Sequence, residues 1–391
     1  MTVPTIHLGK VVDVSAGQPA PKPNDFSDDG FPFIRAGSLE GLLSGQTEND
    51  CEKIDAETAR RYRMRLYPKD TILFAKSGMS AKIGRVYRMR QPAYVVSHLA
   101  ALAPIGKYEP SYLVHWLRAH PPSKLIKDEA YPSIRTSEVS SLEVPDLHID
   151  EQRRIAATLD KADAIRRKRQ QALTLAGDFL KSVFLEMFGD PSTNSKGWPV
   201  GSIRDLIVDA KYGTSQKADV EEGSYPVLRM GNLTYSGRID TTDLKYLDLK
   251  DNEIEKYTVR RGDILFNRTN SRELVGKTAV VMANEVYAYA GYLVRARTNS
   301  RANPHYISAF LNSTFGKATL QGMCKSIIGM ANINAQEFQN IRIPVPPVDL
   351  QNRFGAVLER TEVTRQLLMA DLRHATDLFA ALSQRAFAGN L

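Results

Sequence analysis

The sequence predicts an α+β protein that contains two copies of one mixed domain, each followed by a long helix with a coiled-coil seam. Three observations lead to this fold class. Short alternating apolar runs are mixed with short helical patches, this organisation recurs at about half the chain length, and an apolar stripe of helical period ends each copy. With 391 residues, the chain is long enough for two domains with sizeable cores.

Matching segments in the same order reveal the two copies. The matches are residues 33–39 with 227–233, residues 70–74 with 263–266, and the proline-then-glutamine segment before Gln152 with the one before Gln351. Aligned positions are separated by 194, 192 and 199 residues. A period this long is typical of a duplicated domain and too long for a solenoid.

Each copy is predicted to begin with a domain that contains a curved, mostly antiparallel sheet. The runs that predict strands are residues 70–74, 84–87, 263–266 and 278–282, punctuated by Gly, Pro, Asn and Asp. Helical patches are predicted at Pro110–Ala119 and Pro304–Leu311. The polar segment Pro191–Gly197 is the predicted linker between the copies.

A proline-containing lead-in precedes each long helix. Because proline disfavours helix at the residue before it, Val144–Leu147 and Ile343–Pro347 are predicted to be extended. The first helix is expected from about Glu151 to Phe188, with Asp150 as N-cap and Gly189 at its end. The second is expected from about Leu350 to Ala388, with Asp349 as N-cap and Gly389 at its end. The predicted boundaries are residues 1–149 for the first domain, 150–190 for the first helix, 191–346 for the second domain and 347–391 for the second helix.

Alternating steps of four and three residues mark one face of each helix, and eight of its ten positions are apolar. In the first helix these positions are Ile155, Leu159, Ala162, Arg166, Arg169, Leu173, Ala176, Leu180, Val183 and Met187. In the second they are Phe354, Leu358, Thr361, Arg365, Leu368, Leu372, Ala375, Phe379, Leu382 and Ala386. This pattern favours a coiled-coil seam. Arg166 and Arg169 lie on the seam, so they must pair or extend their charged ends to solvent.

Composition narrows the class of protein. The net charge is +8 and the isoelectric point is about 9.3, which makes a polyanion the first partner to test. Two cysteines argue against a disulfide scaffold or a cysteine-rich zinc site. The N-terminus lacks a signal-peptide pattern, and the longest mostly apolar stretch, Ala93–Ile105, is too short to span a bilayer. We therefore expect a cytoplasmic protein with no membrane partner.

Sequence signatures of catalysis are absent. There is no phosphate-binding Gly-x-x-x-x-Gly-Lys-Ser/Thr loop, no zinc-ligand spacing and no nucleophile elbow. Asn303–Tyr306 resembles the Asn-Pro-Pro-Tyr motif of adenine methyltransferases, but the third position differs and no strand is followed by Gly-x-Gly. A duplicated domain without a catalytic constellation favours a binding protein, and an adenine DNA methyltransferase is the enzyme alternative.

Two segments of the second copy carry a resemblance to a known family. Gly262–Ser271, followed by Leu274–Lys277, and the lead-in Ile343–Gln351 are similar to the DNA-specificity subunit of type I restriction–modification systems. The first copy departs more, because residues 74–78 lack Asn-Arg-Thr and its lead-in has a single proline. The resemblance covers nearly the whole chain.

The resemblance implies a non-catalytic subunit. In that family, each globular domain is a target-recognition domain that reads one half of a bipartite, asymmetric DNA site. The two helices form an antiparallel coiled coil that separates the domains. Two methyltransferase subunits dock on the specificity subunit, and motor-nuclease subunits join them to restrict phage DNA. S-adenosylmethionine, ATP and magnesium would then belong to the partners, so no cofactor is expected here.

Helix length limits the distance between two such readers. A helix of about 38 residues is roughly 57 Å long, which equals about 17 base pairs. Residues 268–270 and 76–78 differ, Arg-Thr-Asn against Lys-Ser-Gly, which predicts two different half-sites. The alternative is a recognition module of another restriction or phage-defence enzyme, acting as a homodimer without the usual methyltransferase.

Residue chemistry indicates which side chains contact DNA. Arg, Lys, Asn, Gln, Ser and Thr read base edges, and Lys and Arg bind phosphates. The candidates in the first domain are Arg35, Ser38, Lys76, Ser77, Ser80, Lys82 and Arg85. Those in the second are Arg229, Asn232, Asn267, Arg268, Thr269, Asn270, Ser271, Arg272 and Lys277.

Three features have more than one interpretation. Tyr225 and Tyr235 either stack on a flipped base or belong to the core or an edge strand. The run Arg166–Arg169 faces DNA between the half-sites, binds an acidic partner or is simply solvated. The aromatic helix ends Phe179–Phe188 and Phe379–Phe387 pack along the seam, pack on the first lead-in or form a docking site for a methyltransferase subunit.

Overall fold

The computed structural model describes residues 4–106, 108–327 and 330–388. The chain divides into two compact units, one formed by Met1–Gln170 with Ala370–Leu391 and the other by Gln171–Met369. Each unit thus contains one globular domain and part of both long helices. The expected helix end at Gly389 lies outside the described residues.

The first unit contains an antiparallel four-stranded sheet and a smaller three-stranded sheet. Its strands are β1 (Thr5–His7), β2 (Val12–Ala16), β3 (Phe31–Ile34), β4 (Lys53–Ile54), β5 (Ile72–Ala75), β6 (Val86–Arg88), β7 (Tyr94–Val95), β8 (Leu99–Pro104) and β9 (Glu143–Pro145). Its short helices are α1 (Ser38–Ser44), α2 (Ala56–Arg61), α3 (Met79–Ile83), α4 (Pro110–Ala119) and α5 (Thr136–Ser140). The larger sheet has the order β2-β8-β5-β6, the smaller one β4-β3-β7, and β1 pairs with β9.

The long helix α6 (Ile149–Phe188) leads into the second unit, which repeats this arrangement. Its strands are β10 (Val200–Ser202), β11 (Ile207–Tyr212), β12 (Tyr225–Leu228), β13 (Lys245–Leu247), β14 (Thr258–Val259), β15 (Ile264–Asn267), β16 (Thr269–Asn270), β17 (Thr278–Val280), β18 (Tyr287–Tyr289), β19 (Leu293–Thr298), β20 (Lys325–Ile327), β21 (Met330–Asn332) and β22 (Arg342–Pro344). Its helices are α7 (Asp251–Tyr257), α8 (Pro304–Asn312), α9 (Thr314–Met323), α10 (Ala335–Gln339) and the long α11 (Val348–Phe387). The order β11-β19-β15-β17 matches the larger sheet of the first unit, and β10 pairs with β22.

The predicted strands are present, but one curved sheet per copy was too simple. β5, β6, β15 and β17 lie within one or two residues of the predicted runs. A second sheet in each unit was missed, β4-β3-β7 in the first and the four-stranded β13-β12-β18-β14 in the second. Each contains a parallel pair, β3 with β7 and β12 with β18. Such short strands carry too little alternation to reveal their partners.

Both long helices begin slightly before their predicted starts. Asp150 and Asp349 therefore lie in the first helical turn and are not N-caps. A carboxylate there is still favourable, because it faces the positive end of the helix dipole. Each helix has 40 residues, and within the described residues no helix is long and apolar enough to cross a membrane.

The predicted seam is confirmed in its burial, since each of its twenty positions is buried or half-buried. In the first unit, Ile155 and Leu159 share a core with Ala386. In the second unit, the ring of Phe184 lies 5.7 Å from that of Phe354. The start of each long helix therefore shares a core with the end of the other. The seam arginines pair as expected, Arg166 with Asp163 at 2.7 Å and Arg169 with Asp371 at 2.5 Å.

The aromatic helix ends pack against the globular domains. Phe188 lies 4.6 Å from the ring of Tyr306, and Phe387 lies 5.6 Å from that of Tyr112. Phe179 is the exception, because 52% of it is exposed. The aromatic ends thus anchor each helix to a domain core.

A buried glutamine joins each long helix to the start of a short helix. Gln351 is fully buried, its amide oxygen accepts a hydrogen bond from the backbone of Asn303 at 2.9 Å, and its NH₂ group donates to the carbonyl of Pro346 at 2.8 Å. Gln152 repeats both bonds, with the backbone of Glu109 at 2.9 Å and the carbonyl of Leu147 at 2.8 Å. The two glutamines are 199 residues apart, so the repeat extends to this hydrogen-bonding pattern.

Carboxylates about two and three turns after the glutamine form a second repeated link. Asp160 bonds to His115 at 2.8 Å and Glu359 bonds to His305 at 3.3 Å. The next turn of each long helix carries a second carboxylate, Asp163 in α6 and Glu362 in α11. Burial would raise the pKa of both carboxyls, but the arginines around them hold the pKa below its ordinary range. These carboxylates are therefore charged groups that fasten the helix to the domain.

The glutamine link generates a stability prediction. Gln351→Ala should lower the free energy of unfolding of the second unit by about 1–3 kcal/mol, because it leaves a buried N–H and a buried carbonyl without partners. Gln366 is exposed on the same helix, so Gln366→Ala is the matched control and should change little. Thermal or urea unfolding of the full chain measures the difference. Equal stability of the two variants would contradict the role of Gln351.

Candidate nucleic-acid interface

The candidate loop of the first domain begins at the end of β5 and is held on both sides. The backbone of Lys76 donates to the carbonyl of His98 at 2.9 Å, and its carbonyl accepts from Ile134 at 2.8 Å. Gly78 then donates to Pro132 at 3.0 Å. The loop therefore has a fixed backbone at one end of the four-stranded sheet.

The candidate loop of the second domain occupies the equivalent position. The backbone of Arg268 donates to Tyr292 at 3.0 Å, and its carbonyl accepts from Ile333 at 2.9 Å. The loop continues as β16, which pairs with β21, whereas the first domain forms α3 in this region. The sequence repeat thus corresponds to a structural repeat of this site. The two loops share the backbone bonds of their first residue, Lys76 or Arg268, and differ in structure after it.

Most of the candidate cations of the first domain form ion pairs with acidic residues. Lys82 lies 3.5 Å from Glu129, Arg85 lies 3.0 Å from Glu40 and Arg35 lies 2.5 Å from Glu52. The side chains of Glu129 and Glu40 are 91% and 69% exposed, so these pairs contribute little stability. A phosphate can replace such a partner at small cost.

The remaining candidates of the first domain are half-buried polar groups. The hydroxyl of Ser77 bonds to the ring of His98 at 2.8 Å, and Lys76 and Ser80 are partly exposed beside it. Ser38 lies half-buried in the first turn of α1.

In the second domain, aromatic and backbone groups position the cations. The guanidinium of Arg268 lies 4.8 Å above the ring of Tyr212. Lys277 donates to the carbonyl of Met230 at 2.9 Å, and burial lowers the pKa of its ammonium group. Arg229 pairs with Asp243 at 2.9 Å.

The polar side chains of this loop bond mostly within the loop region. Thr269 donates to the side chain of Asn332 at 3.0 Å, and the amide oxygen of Asn270 accepts from the backbone of Ser271 at 2.9 Å. Arg272 is exposed and Ser271 is half-buried.

Two candidate asparagines are directed inward. Asn232 is 4% exposed, and its amide bonds to the backbone of Arg229, Asp240 and Asp243 at 2.8 to 2.9 Å. Asn267 is fully buried, and within the described residues neither atom of its amide has a hydrogen-bond partner. Asn232 therefore holds the loop that carries Arg229, whereas Asn267 bears an uncompensated desolvation cost.

Tyr131 is a surface residue that sequence reasoning missed. It is 81% exposed and is followed by Pro132, whose carbonyl holds Gly78 of the candidate loop. The signal in the sequence is an aromatic residue followed by a proline, Tyr131–Pro132, which is too common to be informative. Its exposure beside the loop adds a stacking surface there.

The two candidate tyrosines differ in environment. Tyr225 is half-buried in β12, an interior strand of the four-stranded sheet β13-β12-β18-β14, which fits the core interpretation. Tyr235 is 51% exposed, and the ammonium group of Lys317 lies 3.3 Å from its ring centre. Tyr235 is thus neither a core nor a strand residue.

The motif that resembled a methyltransferase has a structural explanation. Asn303 caps α8, Pro304 is the first residue of that helix, and the hydroxyl of buried Tyr306 donates to the carbonyl of Pro344 at 2.7 Å. In addition, burial lowers the pKa of His305, which faces Glu359. These residues connect the domain to the long helix. Among the described residues, no group of His, Cys, Asp or Glu is arranged to hold a metal ion.

Acidic side chains line the large cavity of the first domain. The cavity has a volume of about 760 Å³, and its lining includes Asp25, Asp28, Glu52, Asp55 and Glu57. Lys53 and Arg61 also line the cavity, and Arg61 pairs with Asp25, so its charge is mixed with an excess of acid. The candidate loop at the end of β5 is the better surface for a polyanion.

The fold and these sites define a class of protein that carries two copies of one domain, each presenting a cationic and polar loop at the same end of its larger sheet. The chain belongs to the family described as the type I restriction modification DNA specificity domain, whose model matches residues 2–175 and again residues 195–369.

The chain is also similar to individual proteins of this family. The chain is 20% identical over 393 aligned residues to the type I restriction enzyme EcoKI specificity subunit of Escherichia coli K12, covering 94% of this chain and 84% of that protein. It is 29% identical over 164 residues to a Methanocaldococcus jannaschii protein assigned as the MjaX specificity subunit, a match that spans 41% of this chain and 38% of that protein. The S subunit of a type I system from M. genitalium shares the fold, with a TM-score of 0.62 at 14% identity over 99% of this chain and 96% of that one.

The contrast between the two buried asparagines can be tested. Asn267→Ala should raise the free energy of unfolding by about 1 kcal/mol, because it removes a buried amide without partners. Ala75 occupies the equivalent position in the first domain, so alanine suits this site. Asn232→Ala should lower the same quantity by about 1–3 kcal/mol, because it leaves buried backbone groups unpaired. Chemical denaturation of the full-length variants distinguishes them, and destabilisation of both would contradict the assignment for Asn267.

Proposed function

We propose that this chain is the non-catalytic DNA-specificity subunit of a type I restriction–modification complex, and that each domain reads one half of a bipartite, asymmetric site. The observation that carries the proposal is the pair of equivalent loops after β5 and β15. They share their backbone support but present different side chains, Lys-Ser-Gly at residues 76–78 and Arg-Thr-Asn at 268–270. Two loops that occupy equivalent positions but present different side chains suit the recognition of two different half-sites.

Within each loop, exposure divides the candidates into two groups. We assign DNA contact to the residues that reach the surface, and support of the Arg229 loop to buried Asn232; buried Asn267 belongs to neither group. The contact group in the first domain is Arg35, Ser38, Lys76, Ser77, Ser80, Lys82 and Arg85. In the second domain it is Arg229, Arg268, Thr269, Asn270, Ser271, Arg272 and Lys277.

The proposed surfaces suit a partner that brings negative charge. Exposed acids hold Lys82 and Arg85, and DNA phosphates would take over these positions on binding. Arginine is the favoured reader of guanine, and asparagine of adenine. Arg268 stacks on Tyr212, which limits its rotamers and supports a fixed direction for its guanidinium.

Variants in one loop should affect one half-site only. Changing Arg268 and Asn270 together to alanine should relax or abolish recognition of one half of the methylated sequence, because the base contacts of that half are lost. Changing Lys76 and Ser77 together to alanine is the reciprocal control and should affect the other half. Sequencing the motif methylated by each reconstituted complex measures this. Two variants that alter the same half, or neither half, would contradict the proposal.

We further propose that α6 and α11 form an antiparallel coiled coil that sets the spacing between half-sites and docks methyltransferase subunits. The seam supports the coiled coil. Away from the seam, both helices expose large apolar residues: Leu175 and Leu367 are 67% and 66% exposed, and Val363 is 60% exposed. Single exposed apolar residues are common, but several on one pair of helices suit a protein interface.

A charge on this surface should weaken docking. Leu367→Glu should reduce binding of the methyltransferase subunit by at least tenfold, because a carboxylate would be desolvated at an apolar contact. Gln366→Glu is the matched control, since it adds the same charge at the neighbouring exposed position. Titration of each full-length variant with the purified subunit gives the two affinities. Equal affinities would exclude Leu367 from the interface.

A further inference from the structure

Arg63 has a backbone conformation that arginine seldom adopts. Its φ angle is +51°, in the left-handed region that favours glycine. Non-glycine residues in this region concentrate at functional sites, where the surrounding structure holds them. Arg63 is exposed, so core packing does not explain its conformation.

The side chain of Gln18 holds this conformation. Its NH₂ group donates to the carbonyl of Arg63 at 2.8 Å, and its amide oxygen accepts from the backbone of Arg65. The side-chain amide of Gln18 thus bonds twice to the same turn, at Arg63 and at Arg65. Gln18 therefore fixes the backbone while the guanidinium of Arg63 stays in solvent.

Gln18 also places Arg63 beside the candidate loop of the first domain. It follows β2, and its carbonyl accepts from Ser97 at 2.8 Å. The next residue, His98, binds the backbone of Lys76 at 2.9 Å and the hydroxyl of Ser77 at 2.8 Å. Since β8 lies between β2 and β5, the backbones of Gln18 and Lys76 are about 10 Å apart. The turn and the loop share one end of the sheet.

The charge around Arg63 is positive, and the second domain lacks this feature. Arg61 pairs with Asp25 and Arg65 with Asp13, but within the described ranges no ion pair involves Arg60 or Arg63. In the second domain, the helix before the corresponding strand is α7. It carries Asp251, Glu253, Glu255 and a single lysine, Lys256. At the offset of 192 residues that relates β5 to β15, Arg63 corresponds to Glu255, and the pair Arg260–Arg261 corresponds to Pro68–Lys69. A cation at the position of Arg63 is thus a feature of the first domain.

We propose that Arg63 is a DNA-phosphate contact of the first domain, presented by Gln18 beside the Lys76 loop, and that the second domain has no counterpart. This inference rests on the proposed function. A guanidinium binds phosphate through paired hydrogen bonds, and a phosphate contact carries no base information. Arg63 therefore strengthens and orients binding at one half-site without changing which bases are read.

The test separates charge from fold. Arg63→Gly removes the cation while glycine accepts the left-handed backbone, so the thermal midpoint should be unchanged or higher. Binding of the full chain, in complex with its methyltransferase subunit, to a mixed-sequence duplex is measured by anisotropy across a salt series. The plot of log affinity against log salt should lose a slope of about 0.9, the value for one phosphate. Gln18→Ala should lose the same slope because the turn is released.

Lys10→Gln is the matched control. Lys10 is exposed before β2, at the opposite end of that strand, so its neutralisation should leave the slope unchanged. An unchanged slope in Arg63→Gly, or an equal loss in Lys10→Gln, overturns the proposal. An unchanged slope in Gln18→Ala overturns the role of Gln18. If the wild-type complex binds no duplex at any salt concentration, the proposed function fails as well, whereas wild-type binding with an unaffected Arg63→Gly slope removes this inference alone.

Discussion

The buried glutamine amide at the start of each long helix is the interaction on which the rest of each unit depends. An amide is neutral and has one acceptor and two donor positions, so it can join two backbone segments without the desolvation penalty of a charge. Gln152 and Gln351 use it to connect the helix lead-in with the start of α4 or α8. The carboxylates that bond to His115 and His305 follow about two turns further along the same helices.

The two domains keep this framework and vary the surface that it supports. The backbones of Lys76 and Arg268 form the same pair of hydrogen bonds with equivalent segments of their domains, yet the chain continues as a short helix after one and as a paired strand after the other. Ala75 and Asn267 end equivalent strands, but only Asn267 places an unpartnered amide in the interior. A duplicated framework therefore permits divergence at exposed positions, where substitutions cost little stability.

The cations of the candidate interface have partners that a DNA phosphate can replace. Most candidate cations of the first domain are paired with exposed acids. In the second domain, Arg268 stacks on an aromatic ring, Lys277 bonds to a carbonyl and Arg229 pairs with exposed Asp243. Neither arrangement buries a charge pair, so a phosphate can displace the partner without a large desolvation penalty. The net charge of +8 thus understates the positive potential that this surface can present to DNA.

The duplication, the two long helices and their seam are predictable from the sequence, because repeats and helical periods are local or regularly spaced signals. The helix α4 was predicted at its observed bounds for the same reason. Only the tertiary structure decided which polar residues face solvent: Asn232 and Asn267 look like surface residues of a loop, but both are buried. It also decided that Arg63 and Gln18, 45 residues apart, act together. Such contacts depend on how strands pair across a sheet, and short strands carry too few residues to encode their partners in a pattern that can be read along the chain.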